Sequence, residues 1–533
     1  PLTLAVEDLR TLKTSDSTQV AQRLATEFAQ QPFDLSAQLL LRAKILQLDN
    51  KSYQLIVTLH HIIADGWSIG IFIKELAALY EAFSVGKPSP LSELPIQYTD
   101  FLNWQQKWLN SERIQPLLAY WKQKLHGELP VLNLPTDRPR PPVQTFKGAQ
   151  AKLVLPQTLK KELKNLSRQQ GVTLFMTLLT AFKILLYRYT GQTDILVGSP
   201  IANRNRAEIE SLIGFFVNVL VLRTNLSGNQ NFLDLLACVK STALEAYVHQ
   251  DLPFEKLVEE LQPSRDLSYN PLFQVMFVLQ NVPKPNLSLP DVSISYYEGY
   301  NGTSKFDLTL FMEDSEQGLV ATCEYNTDLF NTDTITRMLG HFQTLLESIV
   351  DDPEQCISKL QFLAPSEIQQ LLVEWNDTKT DYPQDKCIHQ LFEAQVEKTP
   401  SDIAVIFENQ QLTYQELNGR ANQLARYLQQ LGVKPDVMVG ICIERSIEML
   451  VGLLAIMKAG GAYMPLDPAY PKERLAFTLA DSQVSVLLAH SHLVNDLPTH
   501  SAQLVSIDTD TTAFADYSPD NVVSNANPDN LAY

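Results

Sequence analysis

Within nine residues the chain carries two adjacent histidines, a carboxylate and a serine, in the run Leu59-His60-His61-Ile62-Ile63-Ala64-Asp65-Gly66-Trp67-Ser68-Ile69-Gly70. Three chemistries compete for it. The histidines and Asp65 are metal-ligand types, His61 alone is a candidate general base, and Gly66-Trp67-Ser68-Ile69-Gly70 has the spelling of a G-x-S-x-G nucleophile elbow.

Spacing separates the three. Period-2 alternation from Tyr53 predicts a strand to His60 that sets Tyr53, Leu55, Val57, Leu59 and His61 on one face and Gln54, Ile56, Thr58 and His60 on the other. Neighbouring histidines on a strand cannot grip one ion. A metal would need His61, Asp65 and a distant third ligand, while the other seven histidines, His126, His249 and His341 among them, stand apart without ligand spacing. No metal is therefore expected. An elbow needs its strand to run straight into the serine, whereas here the strand stops at the histidines and Asp65-Gly66 breaks the chain. Beyond it, Ile69, Phe72, Ile73, Leu76, Ala77 and Tyr80 fall on one helical face, which predicts an amphipathic helix with Ser68 as its N-cap. A serine hydrolase using Ser68, later acids and His249 stays arithmetically open. His61 is left as the inward-facing candidate, its tautomer fixed by backbone or by Asp65, with a satisfied core histidine as the alternative.

The elements that must hold this run are spread over 533 residues, enough for about three or four globular units. Helices are predicted around Ser17 to Gln31, Gln157 to Gln170 and Leu174 to Tyr189, and strands at Asp194 to Ser199, Phe215 to Arg223, Ile403 to Phe407 and Val437 to Ile443. Leu129 to Pro142 contains five prolines in fourteen residues and predicts an extended crossover. A turn-rich polar stretch near 350–385 predicts an interdomain linker, and Asn525 to Tyr533 a final strand. The composition is 45% apolar and 19% charged, with a net charge of −18 that argues against nucleic acid or an anionic membrane as partner. The five cysteines are scattered without C-x-x-C spacing, a reduced, cytoplasmic pattern. The longest apolar run, Met449 to Met457, is short for a membrane span. The chain opens on Pro1, so a fragment is expected.

His60-His61-x-x-x-Asp65-Gly66-Trp67-Ser68 resembles the signature of nonribosomal peptide synthetase condensation domains, and four further segments resemble the same family in the same order. These are Tyr98-Thr-Asp-Phe-Leu-Asn-Trp104, Ile213-Gly-Phe-Phe-Val-Asn218 running on to Arg223, His249-Gln-Asp-Leu-Pro-Phe-Glu255, and Arg265-Asp-Leu-Ser-Tyr-Asn-Pro-Leu-Phe-Gln-Val-Met-Phe277. The resemblance implies an α/β (α+β) multidomain chain with two chloramphenicol-acetyltransferase-like lobes in a V around a tunnel. Carrier domains would bring substrates on phosphopantetheine arms from opposite ends, and a peptide bond would form between donor and acceptor thioesters.

It further implies His61 as the central residue, as base or as positioner, Asp65 as a salt-bridge residue shaping the loop, and Gly66 keeping the backbone close to substrate. His60, Trp67, Ser68 and Asn218 would support the site or line the tunnel. Phe101, Trp104 and Trp108 lie at helical spacing and read as core. Asp251 and Pro253 fit the cap and first turn of a helix, and Asn218 fits tunnel lining or inter-strand anchoring equally. Tyr269 stands where the family often carries arginine. The motif spellings lean to the subtype joining an L-donor to an L-acceptor. An epimerisation domain and a non-catalytic carrier-docking module are the rivals.

From about residue 387 the chain resembles the opening of an adenylation domain, through Leu412-Thr-Tyr-Gln-Glu-Leu417 and Met457-Lys-Ala-Gly-Gly-Ala-Tyr-Met-Pro-Leu-Asp467. The expected division is 1–140 for a first lobe shortened at its start, 141–355 for a second lobe, 356–385 for the linker and 386–533 for a partial adenylation region. ATP and magnesium would serve only a complete adenylation domain. Two upstream family motifs are absent as wholes, so Asp65 is expected to lack an arginine partner drawn from there and its loop to be poorly held. Arg42 and Arg204 are the arginines that could refute this.

Overall fold

The computed structural model describes residues 4–11, 14–36, 39–226, 230–263, 266–280, 292–295 and 299–533; Arg265 of the fifth motif lies outside them. The chain divides into two compact units, 1–376 and 377–533. No single helix among the described residues is long and apolar enough to cross a membrane, and all five cysteines are free thiols.

The first unit begins with a three-stranded sheet, in which β1 (Ala5–Asp8) runs parallel to β2 (Leu41–Gln47) and β2 pairs antiparallel with β3 (Tyr53–Leu59). Helix α1 (Thr14–Gln30) covers it through Ala21, Val20, Leu24 and Phe28, against Leu9, Leu46 and Ile56. The alternation expected in β3 is present, but the assignment of faces is reversed. Ile56 is buried, while Tyr53 and Leu55 are exposed. Alternation fixes which residues share a face; the partner, here α1, decides which face is inside. The strand also ends at Leu59, so its parity does not reach His61.

A six-stranded sheet follows, from β4 (Gly148–Leu155), β5 (Asp194–Ile201), β6 (Asn218–Asn225), β7 (Val275–Gln280), β8 (Leu308–Asp314) and β9 (Leu319–Asn326), in the order β4-β9-β8-β7-β5-β6. The pairs β5–β7 and β7–β8 are parallel and the rest antiparallel. Between β3 and this sheet come helices α2 (Gly66–Ser84), α3 (Tyr98–Leu109) and α4 (Gln115–Lys124), and within it α5 (Gln157–Gln169) and α6 (Leu174–Thr190). Polar α5 buries a narrow stripe, Leu159, Leu163 and Leu166 with Ser167, whereas apolar α6 is buried along most of its length. Ile114, Leu118 and Trp121 join the same core.

The proline-rich segment has neither helix nor strand. It is strapped to the six-stranded sheet by polar pins: Leu132 N–H to Gln274 Oε1 at 2.8 Å, Asn133 N–H to Gln192 Oε1 at 2.7 Å, and Arg140 to Asp307, with Arg140 also 5.8 Å from the centre of the Tyr269 ring. A chain poor in backbone donors is held by the few it retains and by side chains.

The second unit has a hairpin, β10 (Ile403–Phe407) with β11 (Gln410–Thr413), and a parallel sheet of β12 (Met438–Cys442), β13 (Ala462–Pro465), β14 (Val486–Ala489) and β15 (Gln503–Ser506) in the order β13-β12-β14-β15. Gly460 ends the helix Ile447–Ala459 in the left-handed region, φ 95°. The strand expected over 525–533 does not form. Tyr463 N–H reaches Ala532 O at 3.0 Å, and Asp436 holds Asn530 and Leu531. These contacts leave the segment without a ladder.

Candidate active site

Leaving β3, the chain turns over residues 61–63 and enters α2 at Gly66. The N-cap is Asp65, not Ser68 as spacing suggested: Asp65 Oδ1 accepts the Ser68 N–H at 2.8 Å and Asp65 has the extended backbone of a cap, φ −106° and ψ 177°. Both residue types cap well, so the pattern could not choose between them. Ser68 sits in the first turn, fully buried.

Around these two residues a polar knot closes. Arg204 donates Nη2–H to Asp65 Oδ1 at 3.2 Å and to Ser68 Oγ at 2.8 Å, and Nη1–H to the carbonyls of Ile209 and Leu212 at 2.6 and 2.8 Å. Its guanidinium lies 4.1 Å from the centre of the Phe216 ring. Burial depresses the Arg204 pKa, opposed by the Asp65 charge. The expectation of an unpaired Asp65 is thereby overturned. The partner comes from far along the chain, not from the segment before it.

Segment 214–216 completes the knot. Gly214 N–H donates to Ser68 Oγ at 3.1 Å, Phe216 N–H donates to Asp65 Oδ2 at 3.0 Å, and Gly214 O accepts from Asp65 N–H at 3.2 Å. The single Ser68 proton is shared between Asp65 Oδ1 and Gly214 O, at 2.7 and 2.8 Å. These bonds explain why the strand expected from Phe215 begins only at Asn218: the backbone before it is spent on the loop. A Cβ on Gly214 would meet the Tyr98 ring at 2.3 Å, so glycine is required there. Tyr98, whose phenol pKa burial raises, donates to Phe215 O at 2.8 Å. Phe101, Ile209, Leu212 and Phe216 form a small core beneath, and Trp104 stacks on Arg206 at 4.2 Å.

Ser68 is thus closed to a substrate, and its oxygen already receives two donors. This ends the hydrolase reading. His61 is the opposite: exposed, it donates Nδ1–H to Ala64 O at 2.8 Å and meets the edge of Phe215 at 5.3 Å. A carbonyl only accepts, so the neutral ring carries its proton on Nδ1 and its lone pair on Nε2. His60 turns away, accepting Ile62 N–H at Nδ1 (3.1 Å) and meeting Phe33 edge-on. Trp67 donates to Glu210 O at 3.0 Å. A Cβ on Gly66 would meet nothing within 4 Å.

The side chain of Asn218 bonds to a different segment, the one that follows His249. Its Nδ2 donates to Gln250 O and Leu252 O at 2.7 and 2.8 Å, and its Oδ1 accepts Phe254 N–H at 2.9 Å. It ties β6 to the entry of the helix Phe254–Leu261. Pro253 occupies the cap position there, and Asp251 binds Asn205 Nδ2 at 2.8 Å instead of capping.

A family model described as Condensation domain matches residues 1–372. The chain belongs to the condensation-domain family. Behind it, a model described as AMP-binding enzyme matches residues 392–533. Among relatives of this condensation domain, a linear gramicidin synthase of Brevibacillus parabrevis is 52% identical over 99% of the chain, and chondramide synthase cmdD of Chondromyces crocatus is 46% identical over 100%. The chain spans 10% and 14% of those two proteins. It is homologous to modules of nonribosomal peptide synthetases. A four-domain nonribosomal peptide synthetase bound to AMP and glycine shares the fold with TM-score 0.81 at 24% identity, covering 96% of this chain and 39% of that one. The X-domain from teicoplanin biosynthesis matches with TM-score 0.63 at 28% identity, over 68% of this chain and 82% of its own.

Proposed function

We propose that residues 1–376 form a peptide bond in nonribosomal synthesis. The amine of a carrier-bound aminoacyl thioester attacks the carbonyl of a carrier-bound donor thioester; the donor phosphopantetheine thiol leaves, and the lengthened chain stays on the acceptor arm. His61 takes the amine proton at Nε2 or holds the amine and the tetrahedral intermediate in place. The observation that carries this reading is the contrast within one loop: Asp65 and Ser68 are saturated and buried, while His61 presents an oriented, unshared Nε2. Open space beside Gly66 suits a pantetheine arm passing close to backbone.

The lobes 1–140 and 141–355 in a V around a tunnel, the linker 356–385 and an L-donor/L-acceptor preference belong to the same proposal. So do a cytoplasmic setting, carrier domains as partners in cis, and ATP with magnesium for adenylation by a complete domain. With two loaded carriers, His61→Ala is expected to lower product formation by about a hundredfold or more. Its unfolding transition should stay in place, because the ring is exposed. Undiminished product from that variant would overturn the reading. The 533-residue chain alone is expected to show no amino-acid-dependent ATP–pyrophosphate exchange.

A docking role has one specific support, the likeness to the X-domain, which is also known in complex with OxyB. Absence of product from the wild-type chain and both loaded carriers, with carrier binding intact, would favour it.

A further inference from the structure

In the second unit, Glu444, His490 and His492 bring one ligand atom each to within 4.8 Å of one another. This corrects the expectation that the remaining histidines stand apart: an H-x-H pair meets a glutamate 46 and 48 positions earlier. The parallel pairing of β12 with β14, Cys442 opposite Ala489, explains the meeting. Glu444 lies just beyond the end of β12, and His490 just beyond the end of β14. In open α/β sheets the crevice at the carboxyl ends of the strands is where ligands bind.

Two features mark this as more than a polar rim. The first is an unused lone pair. Ser446 Oγ sends its proton to Glu444 O at 3.1 Å and accepts Met449 N–H at 3.2 Å, so its 3.4 Å contact with His490 Nε2 is one in which the imidazole donates. That leaves the lone pair on His490 Nδ1, a buried atom with no partner, on a residue only 8% exposed. Leaving a buried acceptor unsatisfied is costly. The second is that the loop is held from outside. Asp508, just past β15, takes Ser491 N–H at Oδ1 (2.9 Å) and Ser491 Oγ–H at Oδ2 (2.7 Å). The residue between the two histidines is thus pinned, and the rings lie 5.4 Å apart at 22°. Such outer-shell support is typical of metal sites.

We propose that Glu444, His490 and His492 bind a divalent transition-metal ion, best matched by Zn²⁺. Two imidazoles and a carboxylate make a borderline N/N/O set suited to Zn²⁺ and its first-row neighbours and poorly suited to Mg²⁺ or Ca²⁺. Zinc bonds of about 2.0–2.1 Å require the three atoms to draw together. Glu444 and His492, with side chains 58% and 56% exposed and a mutual contact of 3.3 Å, are free to do so. Their exposure leaves a fourth position to water. The bound ion would fasten the 3₁₀ turn Ser491–Asp496 to the end of β12.

The test uses the full chain stripped of metal with a chelator, titrated with Co²⁺ by visible absorption and with Zn²⁺ by calorimetry. Wild type is expected to take up one ion with a tetrahedral Co²⁺ spectrum, and Zn²⁺ to displace it and raise the melting temperature. His492→Ala and Glu444→Gln should each weaken binding by about 10–100-fold and lose the thermal shift, with metal-free melting unchanged. His126→Ala should bind as wild type does. No saturable uptake by wild type, or uptake undiminished in both His492→Ala and Glu444→Gln, would overturn the proposal.

Discussion

Among the described residues the buried apolar core around β1–β3 amounts to Leu9, Ala21, Leu46 and Ile56, whereas around β4–β9 it runs from Ile114 to Leu360. The loop from His61 to Ser68 follows directly from the smaller sheet, yet its fixed points lie beside the larger one: Arg204, Glu210, Gly214 and Phe216. Where apolar area is scarce, position is secured by a buried polar knot, in which only the Nε of Arg204 is left without a partner among the described residues. Such a knot is less forgiving than a core, because removing one member strands the others in a dry setting.

The largest test of this contrast is Arg204→Met, which leaves the Asp65 carboxylate buried and unpaired. A loss of about 3–5 kcal/mol is expected in denaturant unfolding. Hydrogen exchange should rise first in α2 and not in α6; uniform loss across both would break the comparison. Arg204→Lys should rescue little, since one ammonium cannot span two carbonyls, a carboxylate and a hydroxyl in a fixed fork. Ser68→Ala strips the acceptor from Arg204 and Gly214 and should cost about 1–3 kcal/mol. Peptide-bond formation should fall less than in His61→Ala.

A third test sits in the larger sheet. Burial raises the Glu324 pKa to about 7, against a donated bond from Gln150 and the charge of Lys305. A carboxyl raised on folding favours the protonated form. Its stabilisation is complete below its ordinary value near 4.5 and is lost as pH climbs through about 7. Glu324→Gln should flatten melting temperature against pH across that window. Smallest of all, Gly66→Ala should change stability by within about 0.5 kcal/mol, because its Cβ meets nothing. A large fall in kcat or rise in KM with unchanged melting would show that substrate uses the space.

The repeating elements were legible because their information is local. Helix α6 ends one residue from its expected limit, α5 likewise, and β10 matches both ends. What sequence could not supply were choices made by distant partners. The face of β3 was misassigned because α1, and not the strand, selects it. Asp65 and Ser68 were interchangeable as caps until Gly214 and Arg204 buried the serine. In sequence Arg204 and Arg42 are equivalent candidates for Asp65; in the fold Arg42 instead lies 3.9 Å from the centre of the Phe33 ring. His490 and His492 fall among the histidines read as lacking ligand spacing, because their partner Glu444 enters only through strand pairing.

The bond from His61 Nδ1–H to Ala64 O has a bearing on proton traffic. In a relay, a histidine backed by a carboxylate shares the positive charge it gains. Here the back of the ring rests on a peptide carbonyl, which offers a dipole and no place for a proton to go. In the proposed reaction any proton taken at Nε2 must leave by that same nitrogen, toward the substrate or the solvent behind it. The imidazole is a room with one door, and its turnover is tied to whatever stands in the doorway.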